Sequence, residues 1–215
     1  MHRAKPTAMP RAVILVPRGA EERAVRRAAP HASIVAIRAG AQAAVLPSDI
    51  PAGPIVVMGL CGALRGVRTG ATVIYRDVAD VSGRAAFDPA LVEELHVTLP
   101  AATLVHAVTA DHVVTRATER VALAAAFNAD VVDMEGTHVA RALFAIGRTS
   151  LAVRVASDDP SFDLPPIENA FDPSGAIRPL HLALAFASSP PAAARFIRDV
   201  QASLAILGTI AAKLS

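Results

Sequence analysis

Seven short apolar runs punctuate the chain, at positions 12–16, 33–37, 54–58, 72–75, 103–108, 130–133 and 150–156. Most are apolar on both faces, the pattern of strands covered by helices on two sides. Between them, apolar residues at three- and four-residue spacing predict helices over 21–28, 89–97, 116–127 and 136–146. Asp88-Pro89 offers an N-cap followed by proline at the first helical position, and Gly147 a C-terminal stop. Two more helices are expected at 178–187 and 192–214. In the last, Phe196, Ile197, Val200, Leu204, Leu207 and Ala211 form one apolar face that docks on the core. The alternation of strand and helix predicts an α/β fold.

Composition narrows this reading. A chain of 215 residues without a Pro/Gly/Ser-rich linker is expected to form one domain. It is 53% apolar but only 4% aromatic, with no Trp, so the core must be built from Ala, Val, Leu and Ile. The single cysteine, Cys61, excludes an intrachain disulfide, and no metal-ligand spacing is present. A reducing cytoplasm fits. The run at 12–16 is shorter than a secretory signal core, and those at 182–187 and 204–212 fall short of the roughly 18 residues that span a bilayer.

The net charge of +2 is uneven. Residues 1–27 hold seven Arg/Lys against Glu21 and Glu22, a local charge of +5, which leaves −3 for the rest. That balance disfavours a general nucleic-acid surface. The basic amino-terminal stretch suits a local anion or anionic lipid, or simply a solvated helix face.

Two segments carry candidate chemistry. Val131-Val132-Asp133-Met134-Glu135-Gly136 reads as a buried strand delivering a Met-Glu pair to a helix start. Ser150 to Asp159 reads as another buried strand ending in two adjacent acids, Asp158 and Asp159. Ligands of open α/β sheets bind outside the carboxyl ends of the strands, so Glu135 and Asp158 are expected to face one pocket. Asp158 also suits a plain strand-ending turn, and Glu135 a plain first-turn acid. Met58-Gly59-Leu60-Cys61-Gly62-Ala63-Leu64 reads as a strand-to-loop turn whose backbone N–H groups can meet an anion or a sugar. Cys61 reads as a small packed side chain rather than a nucleophile. Residues 160–179, rich in proline and acids, are expected to form a loop over the sheet edge that acts as a lid.

These residues together resemble the nucleoside phosphorylase and nucleosidase superfamily. The likeness rests on Asp133-Met134-Glu135 before a helix, then an apolar strand ending Arg154-x-x-Ser157-Asp158. It implies a three-layer α/β/α fold around a central mixed, mostly parallel twisted sheet. A further set, His138-Val139-Ala140-Arg141, Asp163-Leu164-Pro165-Pro166, Asp172-Pro173-Ser174-Gly175 and Glu21-x-Arg23, is similar to the hopanoid-associated phosphorylase branch, implicated in removing adenine from adenosylhopane.

The resemblance implies cleavage of the N-glycosidic bond of a purine nucleoside bearing a 5′ substituent, a lipid-linked adenosine among the candidates. Such a reaction develops positive charge on ribose and negative charge on the base. Asp158 is then the acid at the base, its pKa raised by burial and by Asp159. Met134 and Glu135 hold the ribose, since a carboxylate can accept from two hydroxyls. Val113, Val132 and Ser157 face the base.

Around the first strand end the superfamily divides, an arginine gripping phosphate in phosphorylases and a glutamate activating water in nucleosidases. This chain offers Arg23, with Gly59 beside it, for phosphate, and Glu21 or Glu22 as a base. Phosphorolysis with inorganic phosphate as co-substrate is the leading expectation. Hydrolysis of the methylthioadenosine/S-adenosylhomocysteine type, or a nucleoside-binding protein without turnover, is the alternative. Neither metal nor organic cofactor is implied. Leu60 and Ala63 replace a small polar residue and a glycine of the superfamily loop, and Val113 stands where some nucleosidases stack an aromatic. The short stretch before Pro54 implies an open site, or one completed by a second subunit of a homo-oligomer. The expected location is cytoplasmic, peripheral at the membrane surface if the substrate is lipid-linked.

Overall fold

A computed structural model describes residues 12–170 and 178–215. Its strands are β1 (Val13–Pro17), β2 (Ser33–Ile37), β3 (Ile55–Ala63), β4 (Thr72–Asp80), β5 (Gly83–Ala86), β6 (Thr103–Thr109), β7 (Val131–Asp133) and β8 (Ser150–Ala156). Its helices are α1 (Ala20–Ala28), α2 (Pro89–Thr98), α3 (Ala117–Phe127), α4 (Gly136–Ala145), α5 (Pro179–Ser188) and α6 (Pro190–Leu214). Every strand and helix expected from the apolar pattern is present. β5 carries no such pattern, because Gly83-Arg84-Ala85-Ala86 lies largely exposed at the sheet edge. The Asp88 cap forms as expected, its carboxylate accepting from Ala90 N at 2.9 Å and Leu91 N at 3.2 Å. The Asp172–Gly175 stretch lies outside the described residues, as does the basic terminus before residue 12.

The sheet is mixed and mostly parallel, as the resemblance implied. Five of its eight strand pairings are parallel (β1·β2, β1·β3, β3·β8, β4·β6 and β6·β7). The other three, β3·β7, β4·β5 and β4·β8, are antiparallel. The apolar pattern did not reveal that part of this sheet closes on itself. β3 pairs along residues 55–61 with β8, then turns Gly62 and Ala63 onto Val132 and Val131 of β7. With β7 on β6, β6 on β4 and β4 back on β8, five strands complete a circuit. The carboxyl ends of β3, β7 and β8 thereby meet, although β7 runs against β3.

β1 and β8 are buried at every position, which explains why both are largely apolar, with Arg154 the one charged side chain in either. The core around them is Val, Ile, Leu and Ala, with Tyr75 and Phe87 as its buried aromatics. Each fully buried Val, Leu or Ile contributes about 1.5–3 kcal/mol. α6 packs on β3, β8 and α1. The α1–α6 contact is close, since a β-carbon on Gly208 would lie 3.1 Å from Ala28 Cβ. No described helix is long and apolar enough to cross a membrane.

Candidate active site

Where β3, β7 and β8 end, the structure holds a half-open cavity of about 260 Å³. Its size is near the lower end of the roughly 300–1,000 Å³ typical of small-molecule pockets. Four carboxylates line it: Glu21 from α1, Asp133 at the end of β7, Glu135 just after it and Asp158 after β8. Val113, Val132 and Met134 supply apolar wall, and Leu164, Ile167, Phe196 and Val200 extend it.

Glu21 arrives because Gly19, at φ 114°, lets the chain turn sharply from β1 into the first turn of α1. Its Oε1 accepts from Leu60 N at 2.6 Å. Burial first, then the neighbouring Glu135 carboxylate, push its carboxyl up to about 7, against the pull of Arg154. A carboxyl with that value is suited to accepting a proton near neutral pH.

Glu135 accepts from Gly40 N at 2.9 Å through Oε1, and its Oε2 lies 3.7 Å from Arg154 Nη1. Burial raises its carboxyl, and Arg154 opposes that. Arg154, wholly buried on β8, also lies 3.4 Å from Asp133. Asp133 orients the β7–α4 turn by accepting from Gly136 N at 3.0 Å and Thr109 Oγ1 at 2.8 Å. A buried arginine needs such carboxylate company to remain in place.

Asp158 accepts from Ala63 N at 2.8 Å through Oδ1 and from Arg120 Nη2 at 3.0 Å through Oδ2. Burial raises its carboxyl, while Arg120 and the Ala63 N–H pull it back. Asp159 contributes a smaller rise.

Of the residues singled out in the sequence, Glu21, Val113, Val132, Met134, Glu135, Ser157 and Asp158 line this one cavity. Three do not. Arg23 lines a separate groove between α1 and α6, because it lies two positions past Glu21 on a helix and so faces elsewhere. Glu22 is ion-paired with Arg26 at 2.8 Å on the outer surface of α1. Gly59 is inside strand β3 rather than in a turn. A β-carbon there would overlap the Arg154 guanidinium and come within 2.8 Å of Glu21 Oε1, so this close approach requires a glycine.

The expected strand-to-loop turn at 58–64 is corrected in the same way. β3 continues to Ala63, and its Leu60 and Ala63 N–H groups are taken by Glu21 and Asp158. Ser157 donates back to Cys61 O through both backbone N and Oγ, at 2.9 and 3.2 Å. Cys61 is buried, which pushes its thiol far above its ordinary value, so it is no nucleophile. The start of the expected lid does pack on the site, with Leu164 N donating to Thr115 O at 2.9 Å.

Two contributors, Gly40 and Arg120, carried no mark in the sequence. Gly40 reaches Glu135 across 95 positions. Arg120 is a helical arginine with no visible motif around it. Asp133 and Arg154 were part of the motifs, and a lone arginine in an otherwise apolar strand was the one signal of a buried charge cluster. Among the described residues, no cluster of side chains fits a metal ion.

No family model matches the chain, and no curated protein matches it in sequence. Solved structures do match in fold. The methylthioadenosine/S-adenosylhomocysteine nucleosidase of Neisseria meningitidis, in complex with methylthio-immucillin-A, superposes with a TM-score of 0.70 at 15% identity, over 95% of this chain and 98% of that one. The Streptococcus pneumoniae enzyme, in complex with 8-aminoadenine, gives 0.62 at 17% identity, over 93% and 99%. The methylthioadenosine nucleosidase of Arabidopsis thaliana gives 0.62 at 15% identity, over 94% and 93%. At this identity the likeness is one of architecture: nearly the whole chain adopts the fold of these nucleosidases.

Proposed function

We propose that the protein cleaves the N-glycosidic bond of an adenine nucleoside carrying a 5′ substituent, with water as the attacking group. The convergence of Glu21, Glu135 and Asp158 on one partly apolar cavity carries this reading. The fold likeness to nucleosidases that bind adenine analogues supports it. In this reading Glu135 accepts from the ribose hydroxyls, and Val113 and Val132 bound the base. As the C1′–N9 bond breaks, its electron pair passes to adenine, which takes a proton from Asp158 at a ring nitrogen. Water bonds to C1′ and yields a proton to Glu21.

Charge favours water over phosphate. A phosphate dianion in this cavity would meet four acidic side chains, Glu21, Asp133, Glu135 and Asp158, against two buried arginines, Arg120 paired with Asp158 and Arg154 lying between Asp133 and Glu135. The N–H groups of Leu60 and Ala63 are committed as well, and Arg23 faces another groove.

The wall formed by Leu164, Ile167, Phe196 and Val200 suits an apolar 5′ substituent, from a methylthio group to the lipid chain of adenosylhopane. Exposed Val45, Phe144 and Ile146 near the contact of α4 with the 40–44 turn support self-association.

The test is adenine release from adenosine, methylthioadenosine and a lipid-linked adenosine, each with and without phosphate. Phosphate-independent release is expected. Strict phosphate dependence would assign phosphorolysis instead, and no release from any substrate would leave a binding protein.

A further inference from the structure

Arg120, on α3, is among the largest fully buried side chains of the molecule, at 1% exposure. Its guanidinium makes four contacts. Nε and Nη2 donate to Val114 O at 3.2 and 3.1 Å, Nη1 donates to Asp159 O at 3.1 Å, and Nη2 donates to Asp158 Oδ2 at 3.0 Å. One planar group therefore joins the segment that carries the base wall, Val113-Val114, to the segment that carries the acid. Stability alone does not account for it, because a buried ion pair is typically no more stable than apolar side chains of the same volume.

We propose that Arg120 is a positioning residue for departure of the base, fixing the Asp158 carboxyl group against the Val113-Val114 wall and balancing the negative charge it acquires on giving up its proton. The inference rests on the glycosidase reading above. The carbonyls of Val114 and Asp159 hold the guanidinium plane, and the plane holds Oδ2, while Ala63 N holds Oδ1. Both oxygens thus keep a fixed direction before any ligand arrives, and each retains a lone pair for the base edge. Proton transfer converts a neutral acid beside a cation into an ion pair, so Arg120 favours the transferred state over the starting one.

The test compares pH profiles of kcat/KM for wild type, Arg120→Met, Arg120→Lys and Asp158→Asn, together with each Arg120 change in the Asp158→Asn background. The limb that Asp158 sets is the one missing from the Asp158→Asn profile. In Arg120→Met that limb is expected to move up by about one pH unit or more, since an adjacent opposite charge lowers a carboxyl by about that much, and the maximal rate to fall about ten-fold or more. Arg120→Lys keeps the charge but not the fork, so its limb stays near wild type while the rate still falls.

Both rate losses should largely vanish in the Asp158→Asn background. An unmoved limb in Arg120→Met, or losses of equal size with and without Asp158, would overturn the role. If Arg120→Met does not fold, the Arg120→Lys cycle decides. A wild type that releases no adenine removes the glycosidase reading itself. An active wild type with an uncoupled Arg120 removes only this inference.

Discussion

Glu21→Gln removes the charge that α1 places in the cavity while leaving an oxygen to accept from Leu60 N. The Glu21 carboxyl rises from 4.5 to about 7 on folding. At about 1.4 kcal/mol per pH unit, keeping it ionised costs the native state roughly 3 kcal/mol. The sign follows from linkage. Above pH 7 the folded carboxylate is charged and the cost is fully present. As the pH falls toward 4.5 the folded group takes its proton and the cost disappears. Glu21→Gln should therefore be more stable than wild type by about 3 kcal/mol at pH 8, roughly 6–12 °C in Tm for a chain of this size, and equal to it near pH 4. The same change should lower adenine release by about 10²-fold or more, the scale of losing general base catalysis. Melting curves from pH 4 to 8, paired with steady-state kinetics, test both at once. A Tm difference that does not vary with pH refutes the buried-charge account, and an undiminished rate refutes the base assignment.

Asp158→Asn should keep the fold at a cost in stability, since one amide oxygen replaces the two that now accept from Ala63 N and Arg120, and lower turnover by at least about 10²-fold; a wild-type rate would show that Asp158 is not the acid. Glu135→Gln should lose about 1.5–3 kcal/mol of ribose recognition, measured as kcat/KM, and equal relative losses on ribo- and 2′,3′-dideoxyribonucleosides would count against contact with the hydroxyls. Arg23→Ala should leave adenine release and its response to phosphate unchanged, because Arg23 faces the α1–α6 groove; a raised KM for phosphate would restore it as a phosphate ligand. Gly59→Ala should destabilise the fold by about 3 kcal/mol or more, since the overlapping Arg154 guanidinium is fully buried and has nowhere to move; an unchanged denaturation midpoint would contradict the close approach.

The sequence by itself determined the elements of this protein and the kinds of residue in its site. Strands such as β1 and β8 are buried on both faces, so their apolar runs could be read without neighbours, and the Asp88-Pro89 start of α2 is written in local hydrogen bonding. The Met134-Glu135 and Ser157-Asp158 pairs were legible because each is tied to the end of one such strand, where chain geometry leaves little choice of direction. What only the tertiary structure decided was which side chains share a space. Glu21 and Arg23 are two positions apart on one helix and indistinguishable as candidates in sequence, yet packing of α1 against β1 and α6 sends one into the cavity and the other into a groove. Gly59 looked like a turn glycine because the clash it avoids is with Arg154, 95 positions away. Arg120 gave no sign at all, because a buried charge is defined by the partners that surround it, here Asp158, Asp159 and Val114. Periodicity reports the direction in which a side chain leaves its own element, whereas a site is made by directions from several elements meeting, and those are set only when the strand circuit closes.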